Sequence, residues 1–565
     1  MFLIRVQMKE KIVAALGFLK IEGLYDLLEI PKERELGDYS LPCFALAKKL
    51  KKSPNDIAKE IAEKISKKGF DRVVASGGYV NFFFDKKELA EKVIKEINKK
   101  GEDYGKIMGK GKIMVEFSQP NTHKAFHVGH IRGTSLGESI ARIAEFCGNK
   151  VVRANYSGDT GMHIAKWIWC YRKYHGKEKL KGDEKWFADI YVDAVKKLEK
   201  SPKIQEEVDE INRKLDSGVD KELNKLWKDT RKLSIKSWER IYRELNTRFD
   251  VHIFESEVEK EGREIVMEIV KRKIAKESEG AIIVDFNEHG RPDLGVLVLL
   301  RKDGTVLYGA KDLALAKNKL EKHKLDKSIY VIGKAQERYV YQIFEILKLM
   351  GMKGSEKNIY VPVNEVRFPW GKMASRSGDN IFYSDFRDNM IEIARKEIKK
   401  REASISEKGA QKRALAITIS AMKYSMLKQD VNKNIIFDPK KEIKFDGDTG
   451  PYLLYSYARA RNIIKKAGHK IDSNFEIYGI GDSEKKIVEL MASFPEVVKE
   501  AEQKLSPSTI AHFSYDLAKA FNEFYHECPV IGSENEKFRL KLVDSFSQVL
   551  KNSLRLLGIN TIAKM

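Results

Sequence analysis

Two histidines flank a glycine in His127-Val-Gly-His130, immediately before apolar residues that recur at helical spacing over 131–146. Ahead of them, Lys112-Ile-Met-Val-Glu-Phe117 reads as a short apolar strand, so residues 120–130 form a turn that ends at a helix N-terminus. Such a terminus offers free backbone N–H groups and the positive end of the helix dipole, both of which favour an anion. Gly129 lets a ligand approach where a Cβ would block it, and His127 and His130 can donate to phosphate oxygens. The chemistry this turn supports is the binding of a nucleotide's phosphates. Four residues with one free position also recur by chance, and two turn histidines equally suit capping and packing.

The elements around the turn alternate strand and helix over 111–172, with Val151-Val-Arg-Ala-Asn155 as a second strand before Gly158-Asp159. That is the pattern of one half of a nucleotide-binding α/β sheet. Residues 173–285 become long, charged and helical, with Trp186, Trp227 and Trp238 on otherwise polar surfaces, and read as an insertion. The second half of the sheet is expected from Leu294-Gly-Val-Leu-Val-Leu-Leu300 and Ser328-Ile-Tyr-Val-Ile332. Beyond 405 strand patterns fade, and 411–428, 449–466, 484–504 and 507–525 read as helices of a bundle. Residues 1–110 form a first unit with helical patterns at 8–20 and 55–68, a strand Gly78-Tyr-Val-Asn-Phe-Phe-Phe84 and another helix. Its alternating aromatics suit an antiparallel sheet face.

At 565 residues the chain exceeds one hydrophobic core and divides into three or four units. Its net charge of +22 favours a polyanionic partner through counterion release, although lysine-rich helix faces can also be merely solvated. Cys43, Cys147, Cys170 and Cys528 make no C-x-x-C pair, so neither a zinc knuckle nor a disulfide framework is indicated. Reduced thiols, and no apolar run of membrane-spanning length, point to a cytoplasmic protein.

The segment Glu116-Phe-Ser-Gln-Pro-Asn-Thr-His-Lys-Ala-Phe-His-Val-Gly-His-Ile-Arg132 resembles the signature of class I aminoacyl-tRNA synthetases, in the version of the arginyl enzymes, with Ala125 in place of the usual proline. A second signature stands at Gly371-Lys-Met-Ala-Ser-Arg-Ser-Gly378, where Ala374 and Ser375 replace the usual serine and lysine. Arginyl enzymes commonly carry a lysine just before the first signature instead, and Lys124 occupies that place. The resemblance implies that Lys124, His127, His130 and Arg376 share the charge developing on the pyrophosphate side of the α-phosphorus, with Gly129 under the phosphates and Met373 against the adenine.

A guanidinium presents five donors and no acceptor, so selecting it takes carboxylates placed for forked hydrogen bonds. By residue-wise resemblance, Asn121 and Gln336 hold the two ends of the arginine backbone, Tyr308 and Asp312 its guanidinium side, and Glu116 a further polar end. Tyr308 and Asp312 lie four apart at a helix start, on one face. Glu255 is a further candidate. The first unit resembles the N-terminal domain of these enzymes, with Tyr79 and Asn81 matching residues that read an exposed nucleotide of the tRNA D-loop. Gly447-Asp-Thr-Gly-Pro-Tyr-Leu-Leu-Tyr-Ser-Tyr-Ala-Arg-Ala-Arg461 resembles their anticodon-binding bundle, and Tyr452 and Arg459 are the expected RNA contacts.

The expected architecture is therefore multidomain α/β. It comprises an N-terminal α+β domain over 1–110, a Rossmann-type catalytic domain over 111–405 with its helical insertion at about 173–285, and an all-α anticodon-binding domain over 406–565. The expected activity is ligation of arginine to tRNA(Arg) by a monomer using ATP and Mg²⁺, with no zinc and no dedicated protein metal site. The alternatives are an enzyme of the same class for another amino acid, against which the missing cysteine/histidine zinc set argues, and a non-enzymatic RNA-binding descendant.

Overall fold

The computed structural model describes residues 2–31, 33, 36–201, 203–370, 381–468 and 475–565, with side chains from residue 8. At its centre a five-stranded parallel sheet runs in the order Asn358–Val363, Lys327–Gly333, Lys112–Glu116, Lys150–Ser157, Val251–Phe254. Its inner strands are apolar on both faces, as helix-covered parallel strands require, with Ile113, Met114, Val115, Ile329 and Val331 buried. The Val128–Phe146 helix crosses over the sheet so closely that a Cβ on Gly137 would stand 2.2 Å from Cγ of Phe117. Register pairs Glu116 with both Ala154 and Tyr330, which brings Glu116, Tyr156 and Tyr330 to the carboxyl edge of the sheet. Ligands of open α/β sheets bind at that edge.

Three expectations are corrected here. The strand expected near 294–300 is Val296–Leu300, and it belongs to a separate antiparallel sheet with Lys276–Ser278 and Ala281–Asp285. The helical insertion ends before 285, because Val251–Phe254 pairs parallel with Lys150–Ser157 as an edge strand of the central sheet. The insertion tryptophans do not sit on polar surfaces. Trp186 is 6 % exposed in a core with Trp167 and Phe187, Trp238 is 1 % exposed under the Tyr383–Arg401 helix, and Trp227 is partly buried and donates to Asp159 O at 2.8 Å. Polar neighbours in sequence occupy the other faces of these amphipathic helices.

The N-terminal unit packs helices over an antiparallel sheet in which Tyr79–Phe84 is the middle strand, between Tyr39–Pro42 and Phe70–Ser76. The helix after it, Lys86–Lys100, buries Leu89, Val93, Ile94 and Ile97 in the core it shares with the C-terminal bundle. That bundle comprises Glu407–Leu427, Gly450–Ala467, Asp482–Gln503, Pro507–Glu527 and Glu536–Leu556, the last of them beyond the four helices expected from the sequence. Its final turn returns to the unit that carries the central sheet. Ser139 Oγ donates to Leu556 O at 2.9 Å, Arg142 Nη1 to Arg555 O at 3.2 Å, and Asn246 Nδ2 to Asn560 Oδ1 at 2.9 Å. Among the described residues no helix is long and apolar enough to cross a membrane.

Candidate active site

The strand–turn–helix unit is held in an unusual backbone path: Ser118, Gln119 and His123 all have positive φ (78°, 52° and 61°). Non-glycine residues rarely adopt that conformation, and here neighbours over-determine it. His123 is fully buried, with Nε2 2.7 Å from Thr230 Oγ1, its N–H donating to Ser234 Oγ at 3.2 Å, and its ring edge-on to Trp167 and Phe187. The Lys221–Glu244 helix of the insertion thereby clamps the turn. Arg132, 1 % exposed, fixes the far side by donating to Asn364 O at 2.8 Å and Lys433 O at 2.7 Å.

The two signature histidines are stacked, with ring centroids 3.8 Å apart, and Nδ1 of His130 accepts from the His127 N–H at 3.1 Å. That bond leaves the second nitrogen of His130 as the N–H donor. Burial lowers the His127 pKa to about 4 and that of His130 well below its ordinary value, with Lys124 adding to both shifts. Both rings are neutral near pH 7 and serve as hydrogen-bond donors, so the positive charge of the turn rests on Lys124. The helix terminus is less open than expected, because the Val128 N–H donates to Ile381 O and the His130 N–H to His127 O.

A cavity of about 760 Å³ opens at the sheet edge and is lined by Glu116, Asn121, His127, Gly129, His130, Tyr308, Asp312 and Gln336 among others. Glu255, the first residue of the Glu255–Lys271 helix, is also on its wall, with Lys311 Nζ 3.8 Å away. An adjoining cavity of about 540 Å³ shares Asn121, His127 and His130 and contains Lys124, whose Nζ lies 5.4 Å from the centroid of Tyr191. Lys124 thus borders the histidines from the insertion side. Burial and then Lys166 lower its pKa, while Glu255 opposes them.

At the deep end, Asp312 accepts from the Tyr339 hydroxyl and burial raises its pKa to about 7. The Tyr156 hydroxyl is buried beside Asp312, and burial with that neighbouring carboxylate raises its pKa. Glu116, 2 % exposed, is already paired: Lys319 binds one oxygen and Gln119 Nε2 donates to the other at 2.8 Å. Lys319, itself 1 % exposed, also sits 4.1 Å above the Tyr330 ring. Tyr308 is 57 % exposed at the start of its helix and packs edge-on against Tyr339. Asn121 Oδ1 accepts from the Gly158 N–H at 3.2 Å, and Gln336 is exposed at the start of the Glu337–Leu349 helix. With Glu116 paired to Lys319 and Glu365 to Arg367, Asp312 and Glu255 are the carboxyl groups of the lining left for a cationic ligand, and the Tyr156 hydroxyl beside Asp312 lines the same space. From Gly129 the cavity runs past Gly133 to Val363, Asn364 and Val366.

The sequence reading missed Tyr156, Tyr339, Lys319 and the Val363–Val366 wall. Lys319 carried a signal, since it follows Asp312 by seven residues on one helix face. Met373 and Arg376, with Ala374 and Ser375, lie outside the described residues.

Of the expected RNA contacts, Asn81 is not at an edge or on the surface: it is 5 % exposed on the middle strand and bonded to Ser40. Tyr79 is half-buried with its ring 5.4 Å from that of Phe44, which is 54 % exposed. Arg459 lies between Tyr455 and Tyr525, 4.7 and 4.6 Å from their ring centroids, and bonds Asn522, which also donates to the Tyr452 hydroxyl at 2.9 Å.

Comparison with known proteins agrees along the whole chain. Residues 93–439 match the family model described as tRNA synthetases class I (R), catalytic domain; residues 453–565 match the DALR anticodon binding domain, and residues 6–84 the arginyl tRNA synthetase N terminal domain. The chain is 35 % identical to the arginine–tRNA ligase of Clostridium perfringens over 97 % of each chain, and 37 % identical to that of Clostridium kluyveri over 99 % of this chain and 98 % of the other. Among solved structures it is similar to the arginyl-tRNA synthetase of Thermus thermophilus, with a TM-score of 0.79, 25 % identity and coverage of 99 % and 100 %.

Proposed function

The chain belongs to the arginyl-tRNA synthetases of class I, and from that premise we propose how its cavity residues divide the work of joining arginine to tRNA(Arg). The enzyme is an ATP-dependent ligase. A carboxylate oxygen of arginine attacks the α-phosphorus of ATP, the bond to the bridging oxygen breaks, and pyrophosphate leaves with Mg²⁺. A hydroxyl of the terminal ribose of tRNA then attacks the arginyl carbonyl, and AMP leaves. No covalent enzyme intermediate is needed, so catalysis rests on positioning and charge stabilisation.

In this reading Asp312 takes the guanidinium in a charge-assisted bond, with Tyr156, Tyr339 and Tyr308 around it. Asn121 and Gln336 hold the backbone ends of arginine, and Glu255 stands close enough to Asn121 to share the α-amino group. Glu116 orders the pocket floor through Lys319. Neutral His127 and His130 donate to the phosphates over Gly129, and Lys124 supplies the cation that the second signature lacks at Ser375. Met373 and Arg376 complete the nucleotide site, and the wall from Gly133 to Val366 receives the adenosine. ATP arrives with its Mg²⁺ as substrate. Tyr79, whose strand the buried Asn81 braces through Ser40, and Tyr452 and Arg459 are the proposed tRNA contacts at the two ends of the molecule; a monomer working in the cytoplasm completes the proposal. The division of the chain at about 110 and 405 is part of the same reading.

The observation that carries this assignment is the partly buried Asp312 in a cavity that ends on the histidine turn. It is tested by charging total tRNA with labelled arginine, lysine, glutamate or cysteine in the presence of ATP and Mg²⁺, beside a Lys124→Ala variant. Charging with arginine alone that collapses in the variant is the expected result. Tight tRNA binding without charging would instead favour the non-enzymatic descendant.

A further inference from the structure

In the helical insertion, Cys170, His175 and Asp193 bring a thiol, an imidazole and a carboxylate within 4.8 Å of one another, and we propose that they form a binding site for a zinc ion. The local backbone is built for this. The Met162–Cys170 helix passes directly into a single π-helical turn, Tyr171–His175. At 3.6 residues per turn, two residues five apart in an α-helix point about 140° away from each other. The wider i→i+5 turn returns His175 to the side of Cys170, and such turns are rare and frequently stand at functional sites. Asp193 reaches in from the next helix, Glu184–Lys200.

Asp193 Oδ2 lies 3.4 Å from Cys170 Sγ and 3.1 Å from His175 Nε2. Zinc ligands at tetrahedral angles and ordinary bond lengths stand about 3.3–3.7 Å apart, so these separations are close to the edges of a zinc tetrahedron. His175 Nδ1 meets Glu178 Oε1 at 2.7 Å, the carboxylate–histidine arrangement that fixes the ring and leaves Nε2 for a metal. Glu178 is itself held by the Trp186 indole N–H at 2.9 Å. The other Asp193 oxygen is 3.6 Å from Lys197 Nζ, which leaves Oδ2 as the coordinating atom. Cys170 is buried, whereas the His175 and Asp193 side chains are 24 % and 35 % exposed, so the fourth position faces water. A thiolate with an imidazole selects zinc over magnesium or calcium.

Binding releases the thiol proton, and any proton on Nε2, to solvent. In the metal-free protein the same atoms form a hydrogen-bonded cluster, with one imidazole between two carboxylates, and that is the competing description. The ion would pin the Glu184–Lys200 helix to its neighbour two residues from Tyr191, the ring beneath Lys124.

The test uses the full chain, reduced and stripped with chelator, titrated first with Co²⁺ and then with Zn²⁺. One equivalent of Co²⁺ should give tetrahedral visible bands and a thiolate-to-cobalt charge-transfer band that one equivalent of Zn²⁺ bleaches. Cys170→Ser should abolish the charge-transfer band, and His175→Ala, at a partly exposed position that tolerates truncation, should abolish stoichiometric binding. Glu178→Gln should retain the spectrum and weaken Zn²⁺ binding about 10–100-fold. Absence of a thiolate band in the unaltered protein, or a band that persists undiminished in both Cys170→Ser and His175→Ala, overturns the site.

Discussion

Nδ1 of His130 accepts the backbone N–H of His127 at 3.1 Å while the two rings stack, so a single bond fixes both the tautomer and the orientation of the second signature histidine. Replacing His130 by alanine removes one of the two proposed phosphate donors and frees the turn that holds the other. The rate of arginine-dependent pyrophosphate exchange is expected to fall about 10²–10³-fold, in kcat more than in the KM for arginine. Because both rings are already neutral, with His127 at about 4, their protonation contributes no loss of activity between pH 6 and 8. A His130→Ala enzyme with near-normal kcat would remove the histidine from the reaction.

Asp312 behaves in the opposite sense. Its pKa is raised to about 7 by burial, so below that pH the free enzyme holds a neutral acid that must lose its proton to pair with a guanidinium. In kcat/KM for arginine the expected profile falls about tenfold per pH unit below about 7, and arginine binding near that pH releases a proton measurable by calorimetry in two buffers. Stability has the corresponding sign: the raised pKa costs the ligand-free fold stability as pH climbs from the unfolded carboxylate value towards 7. Arginine restores it by favouring the anion. Asp312→Asn should flatten the profile and weaken arginine binding.

Lys319 and Glu116 are buried together, so they respond to mutation as a pair. Lys319→Met leaves an uncompensated carboxylate at the pocket floor and should destabilise the catalytic unit by about 3–5 kcal/mol. The double variant with Glu116→Gln should recover most of that loss. Denaturant unfolding of the unaltered protein and the two variants, followed by the burial-sensitive fluorescence of the tryptophans, Trp167 and Trp238 among them, gives the comparison. Equal losses in single and double variants would mean that the two side chains are not coupled.

Arg459, held between Tyr455 and Tyr525, faces RNA in the proposed complex. Arg459→Ala should raise the KM for tRNA at least tenfold and reduce the slope of log affinity against log salt by about one, with the KM for ATP little changed. An unaltered salt slope would confine the residue to packing with Asn522.

The phosphate turn, the central strands and four of the bundle helices were legible in the sequence because each rests on local periodicity bounded by turn residues. Legibility failed where pairing is non-local. Val296–Leu300 reads as an apolar strand in either sheet, and only its antiparallel partner Ala281–Asp285 decides between them. Val251–Phe254 is four residues long and has the burial of an edge strand, so its membership of the central sheet left no strong pattern. Within the site, Tyr308 and Asp312 were visible as a helix-face pair, whereas Tyr156 and Tyr339 come from a strand and a helix that only folding brings to Asp312. Cys170 and Asp193 are likewise 23 residues apart, a spacing that matches no metal-binding pattern, and a single π turn has no sequence signature.

The return of the final residues to the catalytic unit has a consequence in time. Ser139 and Arg142 on the signature helix take their last partners from Leu556 and Arg555, and Asn246 takes one from Asn560. Translation delivers those partners more than 400 residues after the helix itself, and only once they have cleared the ribosomal exit tunnel. A nascent chain that has already emitted every strand of the central sheet therefore still lacks contacts that hold the Val128–Phe146 helix. The helix that carries the two histidines thus gains its last packing partners only after residues 555–560 have been made.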